Sequence, residues 1–277
     1  MQYRRSSEIG GENMSRKPYS WLVVVGMISL CIGLSGCGKN VDTVAESTVP
    51  IEIGEHVMYG SYHGEPVEWR VLDKKDGEML LLSEYGLDAQ PFDTSGKSRV
   101  DWKDSTIRKW LNDDFYNSAF SEKEKENIVQ SKSEGFEEYN TSMNLTGGGK
   151  PYAYLERETE DKVFLLSNTE LCAYFSEDPY PGCYSDPYAH QELLCYPTAY
   201  AKQQLETRCQ TETCGWWLCN HVYEDDSVEL VSAYGQGSGT SRENIKANTK
   251  SIAVRPAMWV TWQSDMETVE ANQQQAE

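Results

Sequence analysis

The chain has 277 residues, with 25 Lys and Arg against 44 Asp and Glu, which gives a formal net charge of −19 at pH 7. Nucleic acids and anionic lipid surfaces are bound through clustered Lys and Arg that displace counterions. So acidic a composition argues against both classes of partner. The sequence therefore predicts neither nucleic-acid binding nor electrostatic attachment to a membrane.

The N-terminus predicts export and lipid attachment. A basic pair, Arg16-Lys17, precedes the apolar run Trp21–Leu34, which is short for a membrane span but typical of a secretory signal core. The run leads into Leu-Ser-Gly-Cys37, which resembles the lipobox of bacterial lipoproteins, where the cysteine is acylated after cleavage. We expect a lipoprotein signal peptide over 1–37, starting at Met14, and Cys37 as the lipid (palmitate) attachment site. The alternatives are a plain signal peptide or a weak anchor helix.

The remainder divides into a tether, one domain and a tail. Cleavage before Cys37 removes four basic and two acidic residues and leaves 21 basic against 42 acidic, a net charge of −21. Residues 38–52 are small and polar, as in a tether, and the acidic, Gln-rich residues 264–277 predict a disordered tail. Residues 53–263 suffice for one domain with a substantial core. We expect a lipid-anchored extracytoplasmic domain on the bacterial cell envelope.

The first predicted elements form a β-hairpin. Residues Val67–Asp73 alternate apolar and polar side chains, Lys74–Gly77 reads as a turn, and Met79–Leu82 returns as a second strand. Asp104 or Ser105 then caps a short helix, and Ser121 with Glu124 forms a capping box that opens a second one. The apolar face of the first helix carries Ile107, Trp110 and Leu111.

The second half predicts further strands around an irregular segment. Residues 161–167 read as a buried strand, and Asn168 caps a helix that runs to Phe175. Residues 176–214 are irregular and rich in Tyr, Pro and Cys. The later strands are predicted at 216–218, 228–234 and 252–260. Strands at both ends with two short helices early in the chain indicate an α+β domain with a mixed or antiparallel sheet.

Six cysteines cluster in and around the irregular segment. An even number in an exported, loop-rich segment indicates disulfides, and the pairing among the fifteen possible ones stays open: three bridges, or two and a free pair. The rival interpretations are a reactive pair and a zinc site using His221, but the cysteine spacing fits zinc loosely. His56, His63 and His190 are expected to be surface or satisfied histidines. The disulfide candidates are Cys172, Cys183, Cys195, Cys209, Cys214 and Cys219.

The order of several short motifs resembles an uncharacterised domain family of bacterial surface and exported proteins. The match spans roughly 53–262. Its motifs here are Trp69-Arg-Val-Leu72, Trp102 with Trp110-Leu-Asn112, Ala119-Phe-Ser121, Asp161–Ser167, Trp216-Trp-Leu-Cys219 and Val254-Arg-Pro-Ala-Met-Trp259.

The closing motifs of this family imply a C-type-lectin-like fold, distantly similar to that of formylglycine-generating enzymes. The family pattern has Arg where this chain has Cys219, which suggests an ion pair replaced by a disulfide, to Cys209. Trp216 and Trp217 are expected to face opposite sides, one in the core and one under a loop. Arg255 is expected to be structural, bonded to backbone carbonyls or a carboxylate.

Two functions of different class follow from the sequence. The first is a non-catalytic binding module for an extracellular protein, peptide or glycan, with no metal or cofactor and no catalytic residue. Its recognition surface is predicted on the segment 176–214, because loops on a rigid scaffold carry recognition and Tyr gives a large, stiff contact area. The second is a copper–thiolate oxidase of the formylglycine-generating type, or another metal-binding enzyme, centred on Cys219. The ligand-binding candidates are Tyr180, Tyr184, Tyr188 and Tyr196.

Overall fold

The computed structural model describes residues 51–97, 100–132, 159–175, 191–206, 212–221, 228–236, 247–263 and 266. All of them belong to one compact unit, Thr48–Glu277. The predicted signal peptide and nearly all of the tether and tail lie outside the described residues, as do residues 176–190. No helix in the described part of the chain is both long enough and apolar enough to cross a bilayer.

A five-stranded antiparallel sheet, which we call the main sheet, forms the body of the domain. Its spatial order is β1-β2-β3-β7-β4. The last strand therefore pairs with the third and ties the two ends of the domain together. The strands are β1 His56–Tyr62, β2 Glu65–Lys75, β3 Glu78–Ser83, β4 Ile128–Val129 and β7 Ala257–Thr261.

The hairpin of β2 and β3 confirms the sequence prediction. Alternation buries Val67, Trp69 and Val71 on one face of β2. The turn itself is only two residues long, Asp76 and Gly77, with φ of 51° and 84°. Both values lie in the left-handed region, which suits the turn that matches the natural twist of two paired strands. The strands therefore extend further into the turn than the alternation predicts.

The helices early in the chain also confirm the prediction and settle one alternative. Ser105, not Asp104, caps α1 (Thr106–Trp110), since its hydroxyl accepts a hydrogen bond from the Arg108 N–H. A π-helical turn over 111–115 continues α1 into α2 (Tyr116–Ala119). The next helix, α3 (Glu122–Lys125), begins with the predicted capping box.

Two more helices follow in the second half of the chain, one predicted and one not. The predicted helix after Asn168 is α4, Asn168–Phe175. A fifth, α5, spans Ala199–Gln204 inside the segment predicted to be irregular, and Thr198 caps it by accepting a hydrogen bond from the Ala201 N–H. The described part of the chain thus contains five short α-helices, where the sequence predicted two early ones and the one after Asn168. The α+β class is unaffected.

The prediction for residues 161–167 is confirmed for their burial, but the predicted strand does not form. Residues 163–167 are buried, yet only isolated bridges form, at Asp161 and Phe164. The reason is Asn112, whose side-chain oxygen accepts from the N–H groups of Lys162 and Val163. Its amide nitrogen donates to the Val163 carbonyl at 2.8 Å. One side chain thereby satisfies backbone groups that a neighbouring strand would otherwise pair.

A two-stranded antiparallel sheet lies apart from the main sheet, formed by β5 (Trp216–His221) and β6 (Val228–Val231). The strand predicted over 252–260 is regular only from Ala257 onward. Residues before it form isolated bridges, including a parallel one between Trp216 and Ala253. These bridges belong to the site described next.

Candidate functional site

Backbone hydrogen bonds join four segments of the chain into a closed ring. One segment follows the end of β3 in the sequence, and another precedes the start of β7. The four segments comprise residues 86–88, 195–198, 214–217 and 252–255, and we call them the four-segment ring. Each segment bonds to two neighbours, so the ring satisfies backbone polar groups without a continuous sheet. The closing bonds run from Gly86 N to Tyr196 O (3.0 Å), Leu87 N to Val254 O (2.9 Å), Ala253 N to Gly215 O (2.8 Å) and Cys214 N to Cys195 O (2.8 Å).

The interior of the ring holds two cysteine side chains. Cys195 and Cys214 are 0% and 1% exposed, and the Cys214 thiol donates to the Cys195 carbonyl, with its Sγ 3.5 Å from the oxygen. Both sulfurs lie 3.4 Å from the point that a Cβ atom on Gly86 would occupy. That point is also only 2.8 Å from the Ala253 Cβ, so a side chain at position 86 would clash with Ala253.

No disulfide joins the cysteines whose side chains the structure describes, which are Cys195, Cys214 and Cys219. The predicted disulfide-held region is therefore not observed there. Cys219 is buried within β5, 3% exposed. Cys37, Cys183 and Cys209 lie outside the described residues, and Cys172 lies in α4 without a described side chain.

Arg255 brings a buried positive charge to the ring. Its side chain is 0% exposed, its Nε donates to the Ser83 carbonyl at 2.8 Å, and its Nη2 lies 3.7 Å from the Glu84 carboxylate. The guanidinium also lies 5.0 Å from the centre of the Trp216 ring, a cation–π arrangement. The structural role expected for Arg255 is confirmed, but neither Nη has a hydrogen-bond acceptor among the described residues.

This charge changes the acidity of the neighbouring thiol. Burial by itself raises the pKa of Cys195, but the adjacent Cys214 thiol and the positive charge of Arg255 outweigh it. The pKa of Cys195 therefore lies below the ordinary thiol value. A thiolate is the reactive form of cysteine, so this buried residue is more acidic than an ordinary cysteine.

The outer side of the same ring carries two exposed tyrosines. Side chains alternate along each segment, so Tyr196 points outward where Cys195 points inward, and Tyr85 does so beside Gly86. Tyr85 is 38% and Tyr196 47% exposed. A parallel bridge pairs Gly86 with Pro197, which sets residues 85 and 196 side by side on one face. We call Tyr85 and Tyr196 the tyrosine pair.

A network of charged side chains borders the tyrosine pair. Arg70 donates to Glu84 through both Nε (3.0 Å) and Nη2 (2.9 Å), and His56 Nδ1 lies 2.6 Å from Glu68. Burial raises the pKa of Tyr85, and the Glu68 and Glu84 carboxylates raise it further. The Tyr85 hydroxyl therefore stays protonated and able to donate a hydrogen bond.

The structure places only part of the predicted site. Of the tyrosines proposed for ligand binding, Tyr196 is exposed in the ring, while Tyr180, Tyr184 and Tyr188 lie outside the described residues. Trp216 and Trp217 are both fully buried. Each donates its indole N–H to a loop carbonyl, Leu193 for Trp216 (3.1 Å) and Gln90 for Trp217 (3.0 Å). Both tryptophans therefore hold loops, where only one was expected to.

Sequence reasoning did not identify Tyr85 and Gly86 as part of the site. The dipeptide directly follows the buried strand β3, and a Tyr-Gly step at a strand end is a signal that a segment leaves the sheet. The described residues bring no three His, Cys, Asp or Glu side chains together in a metal-like cluster. The His221 side chain lies outside what the structure describes.

Comparison with known proteins identifies a family. The model of a family described as Domain of unknown function (DUF6273) matches residues 76–262. The chain belongs to this family. The DUF6273 region begins at the turn of the β2–β3 hairpin and ends just after β7, so it contains all four ring segments. No curated protein and no solved structure matched the chain. The comparisons thus lend no support to a likeness to C-type lectins or formylglycine-generating enzymes.

Proposed function

We propose that this DUF6273 protein is a lipid-anchored, non-catalytic binding module of the bacterial cell surface. Its recognition surface is centred on the tyrosine pair. The observation that carries the proposal is the exposure of two adjacent tyrosines, Tyr85 and Tyr196, on a ring whose other side is buried. Tyrosines of this kind dominate binding surfaces because they offer large, stiff contact area and a polar tip. The ring supplies the rigid support.

The ligand class that fits best is a basic peptide segment on an extracellular protein. The chain carries an excess of carboxylates, 44 against 25 basic residues, and charge complementarity speeds association and selects partners. Glu68 borders Tyr85, as its effect on the pKa of Tyr85 indicates, whereas Arg70 already occupies both oxygens of Glu84. A Lys or Arg side chain can therefore meet an aromatic face and a carboxylate at once. A glycan is the alternative ligand.

The proposal includes a C-type-lectin-like scaffold for the domain. It is supported by the placement of the first and last strands in one antiparallel sheet and by a site built from loops beyond that sheet. The copper–thiolate oxidase is disfavoured by charge. The sulfurs that the ring brings together are those of Cys195 and Cys214, and a guanidinium beside them repels a metal cation.

The binding function is tested with two sets of probes applied to the full-length chain in detergent: a displayed library of random peptides and a printed glycan array. We expect enrichment of Lys- and Arg-containing peptides. The double variant Tyr85→Ala/Tyr196→Ala is then expected to weaken binding at least about tenfold. Binding of glycans only would replace the peptide ligand, and unchanged binding by the double variant would remove the tyrosine pair from the proposal.

A matched control is Trp262→Ala. Trp262 is also 38% exposed, but it follows β7 and bonds to Gly77 at the opposite end of β3, on the order of 20 Å from Tyr85 by the rise of a strand. Its replacement removes an exposed aromatic side chain of larger area without touching the ring. Binding is therefore expected to persist in this variant.

The lipid anchor is tested separately. In cells labelled with a palmitate analogue, the wild-type chain is expected to carry the label and to remain with the membrane fraction. The variant Cys37→Ser is expected to lose both properties, because the acylated thiol is gone. Cys31→Ser, in the apolar run that precedes Cys37, is the matched control and should keep the label. Label retained by Cys37→Ser would place the lipid on another residue, and a wild-type chain without label would exclude the lipid anchor.

A further inference from the structure

Cys195 and Cys214 have no part in the proposed binding function, yet they occupy the centre of the ring that supports it. We propose that these two residues form a native disulfide, which the structure shows in its dithiol state. This selects one pair among the six cysteines outside the predicted signal. The inference does not depend on the binding function, because its decisive measurement needs no ligand.

The geometry is that of residues ready to be bridged. A disulfide requires Cα atoms about 4.4–6.8 Å apart and Cβ atoms that face each other. The Cys214 N–H donates to the Cys195 carbonyl at 2.8 Å, so the two backbone segments are hydrogen-bonded neighbours, at a spacing of about 4.8 Å. Both sulfurs lie 3.4 Å from the same point beside Gly86. The two side chains therefore enter the same small space from adjacent segments.

Arg255 favours bond formation over metal binding. Its two Nη groups lack hydrogen-bond acceptors among the described residues, and its charge lowers the pKa of Cys195 against the effect of burial. A fixed positive charge stabilises a thiolate nucleophile, whereas it repels a zinc or copper ion at the same sulfurs. Arg255 is thus a positioning residue for the thiolate.

The oxidant is a disulfide of a thiol–disulfide exchange partner, either a small molecule or a protein. While a ring segment is displaced, the Cys214 thiolate attacks one sulfur of that disulfide, whose S–S bond breaks and whose other sulfur leaves as a thiolate. As the ring closes, the Cys195 thiolate attacks the Cys214 sulfur and expels the second partner thiolate. Two cysteine thiols are oxidised, one partner disulfide is reduced to two thiols, and the partner thiolates take up the two protons.

The test is a map of the pairing in the full-length chain, purified without reductant and alkylated before digestion. Cleavage after Glu and after aromatic residues separates all six cysteines. Because the Tyr196–Pro197 bond resists cleavage, Cys195 then lies in the peptide Leu193–Tyr200, and Cys214 lies in Thr213–Trp216. We expect these two peptides to be joined. A link from either one to another cysteine, or alkylation of both thiols before reduction, overturns the proposal.

Cysteine variants sharpen the map. Cys195→Ser and Cys214→Ser should each raise the number of alkylatable thiols in the denatured chain by one, whereas the double variant should leave that number unchanged. Cys219→Ser is the matched control, since Cys219 is equally buried and its replacement should leave the joined peptides intact. Loss of the joined peptides in Cys219→Ser contradicts the proposed pairing.

The role of Arg255 is measured by the rate at which the reduced, refolding chain recovers the bond in oxidised glutathione. Arg255→Gln is expected to slow recovery about tenfold, and Arg255→Lys, which keeps the charge, to slow it less. Equal rates in all three chains remove Arg255 from the mechanism. The pairing itself is decided by the wild-type map, so it remains testable if an Arg255 variant fails to fold.

Discussion

The main sheet and the four-segment ring lie end to end in one domain but are held together in different ways. Strands β1, β2, β3 and β7 pair over many residues, and consecutive side chains of β3 and β7 are buried on both faces. The ring has only isolated bridges and relies on long side chains that reach loop carbonyls. A sheet distributes its stability over a ladder, whereas a ring concentrates it in a few residues. Single substitutions should therefore have sharper effects in the ring.

The largest effect is expected from Trp216→Ala. Trp216 is fully buried, holds the Leu193 carbonyl and covers the guanidinium of Arg255. Loss of a buried Trp side chain costs about 3–5 kcal/mol, and exposure of a buried charge adds to it. Urea unfolding of the full-length chain measures the change. In the main sheet the comparable change is Trp69→Ala, since Trp69 is also fully buried and bonded to a carbonyl.

The two tryptophan variants distinguish the regions through hydrogen exchange. In Trp216→Ala, amide protection should fall first in residues 191–198, because the turn over Leu193 loses its indole contact. In Trp69→Ala, protection should fall across β1 and β2 together. Equal loss over the whole domain in both variants would mean that sheet and ring open as a single unit, and the contrast between them would be lost.

The next effect is expected from Gly86→Ala. A Cβ at this position meets the Ala253 Cβ at 2.8 Å and both ring sulfurs at 3.4 Å, and overpacking of this kind costs about 1–3 kcal/mol. The control is Gly64→Ala in the β1–β2 turn. Nothing lies within 4 Å of its added Cβ, and only its φ of 86° opposes the change, at about 1 kcal/mol. A Gly86→Ala variant as stable as the control would show that the ring shifts to accommodate the added methyl group at little cost in stability.

The difference between the main sheet and the four-segment ring also explains which parts of the structure the sequence predicts. Alternation in Val67–Asp73 predicts β2, and the caps at Ser105 and Ser121 predict their helices, because each signal is local. The ring joins residues more than a hundred positions apart, such as Gly86 and Tyr196, and no periodicity records such contacts. The strand predicted over 161–167 fails for a similar reason, since the Asn112 amide takes the place of a partner strand. Tyr196 was identified from composition, and its neighbour Tyr85 was not.

Tyr62 joins the two regions and gives a pH-dependent test. Its hydroxyl donates to Asp88, in the ring segment 86–88, at 2.6 Å. Burial and then the Asp88 carboxylate raise the pKa of Tyr62 well above its usual value of 10.0. Tyr62→Phe removes a hydrogen bond to a charged group, and we expect a loss of about 1.5 kcal/mol in unfolding free energy at neutral pH.

The sign of the pH effect follows from the raised pKa. In the unfolded chain Tyr62 ionises near pH 10, and in the folded chain it does so only at higher pH, so its contribution is complete below pH 10 and declines as the pH rises above it. The decline is at most about 1.4 kcal/mol per pH unit for one group. Above pH 10 the stability difference between wild type and Tyr62→Phe should therefore shrink. A constant difference from pH 8 to 11 would contradict the assigned hydrogen bond.

The smallest effects are expected from two helix caps, one beside the main sheet and one beside the four-segment ring. Ser121 caps α3 beside the main sheet through a reciprocal box with Glu124, and Thr198 caps α5 directly after the ring segment that carries Tyr196. Ser121→Ala and Thr198→Ala should each cost about 1 kcal/mol. Thr198 is the informative one, because its loss frees the end of a segment that few other bonds hold. If Thr198→Ala also weakens peptide binding while Ser121→Ala does not, the orientation of Tyr196 depends on the cap. If neither variant changes binding, the ring bonds at Gly86 and Cys214 suffice to hold the tyrosine pair.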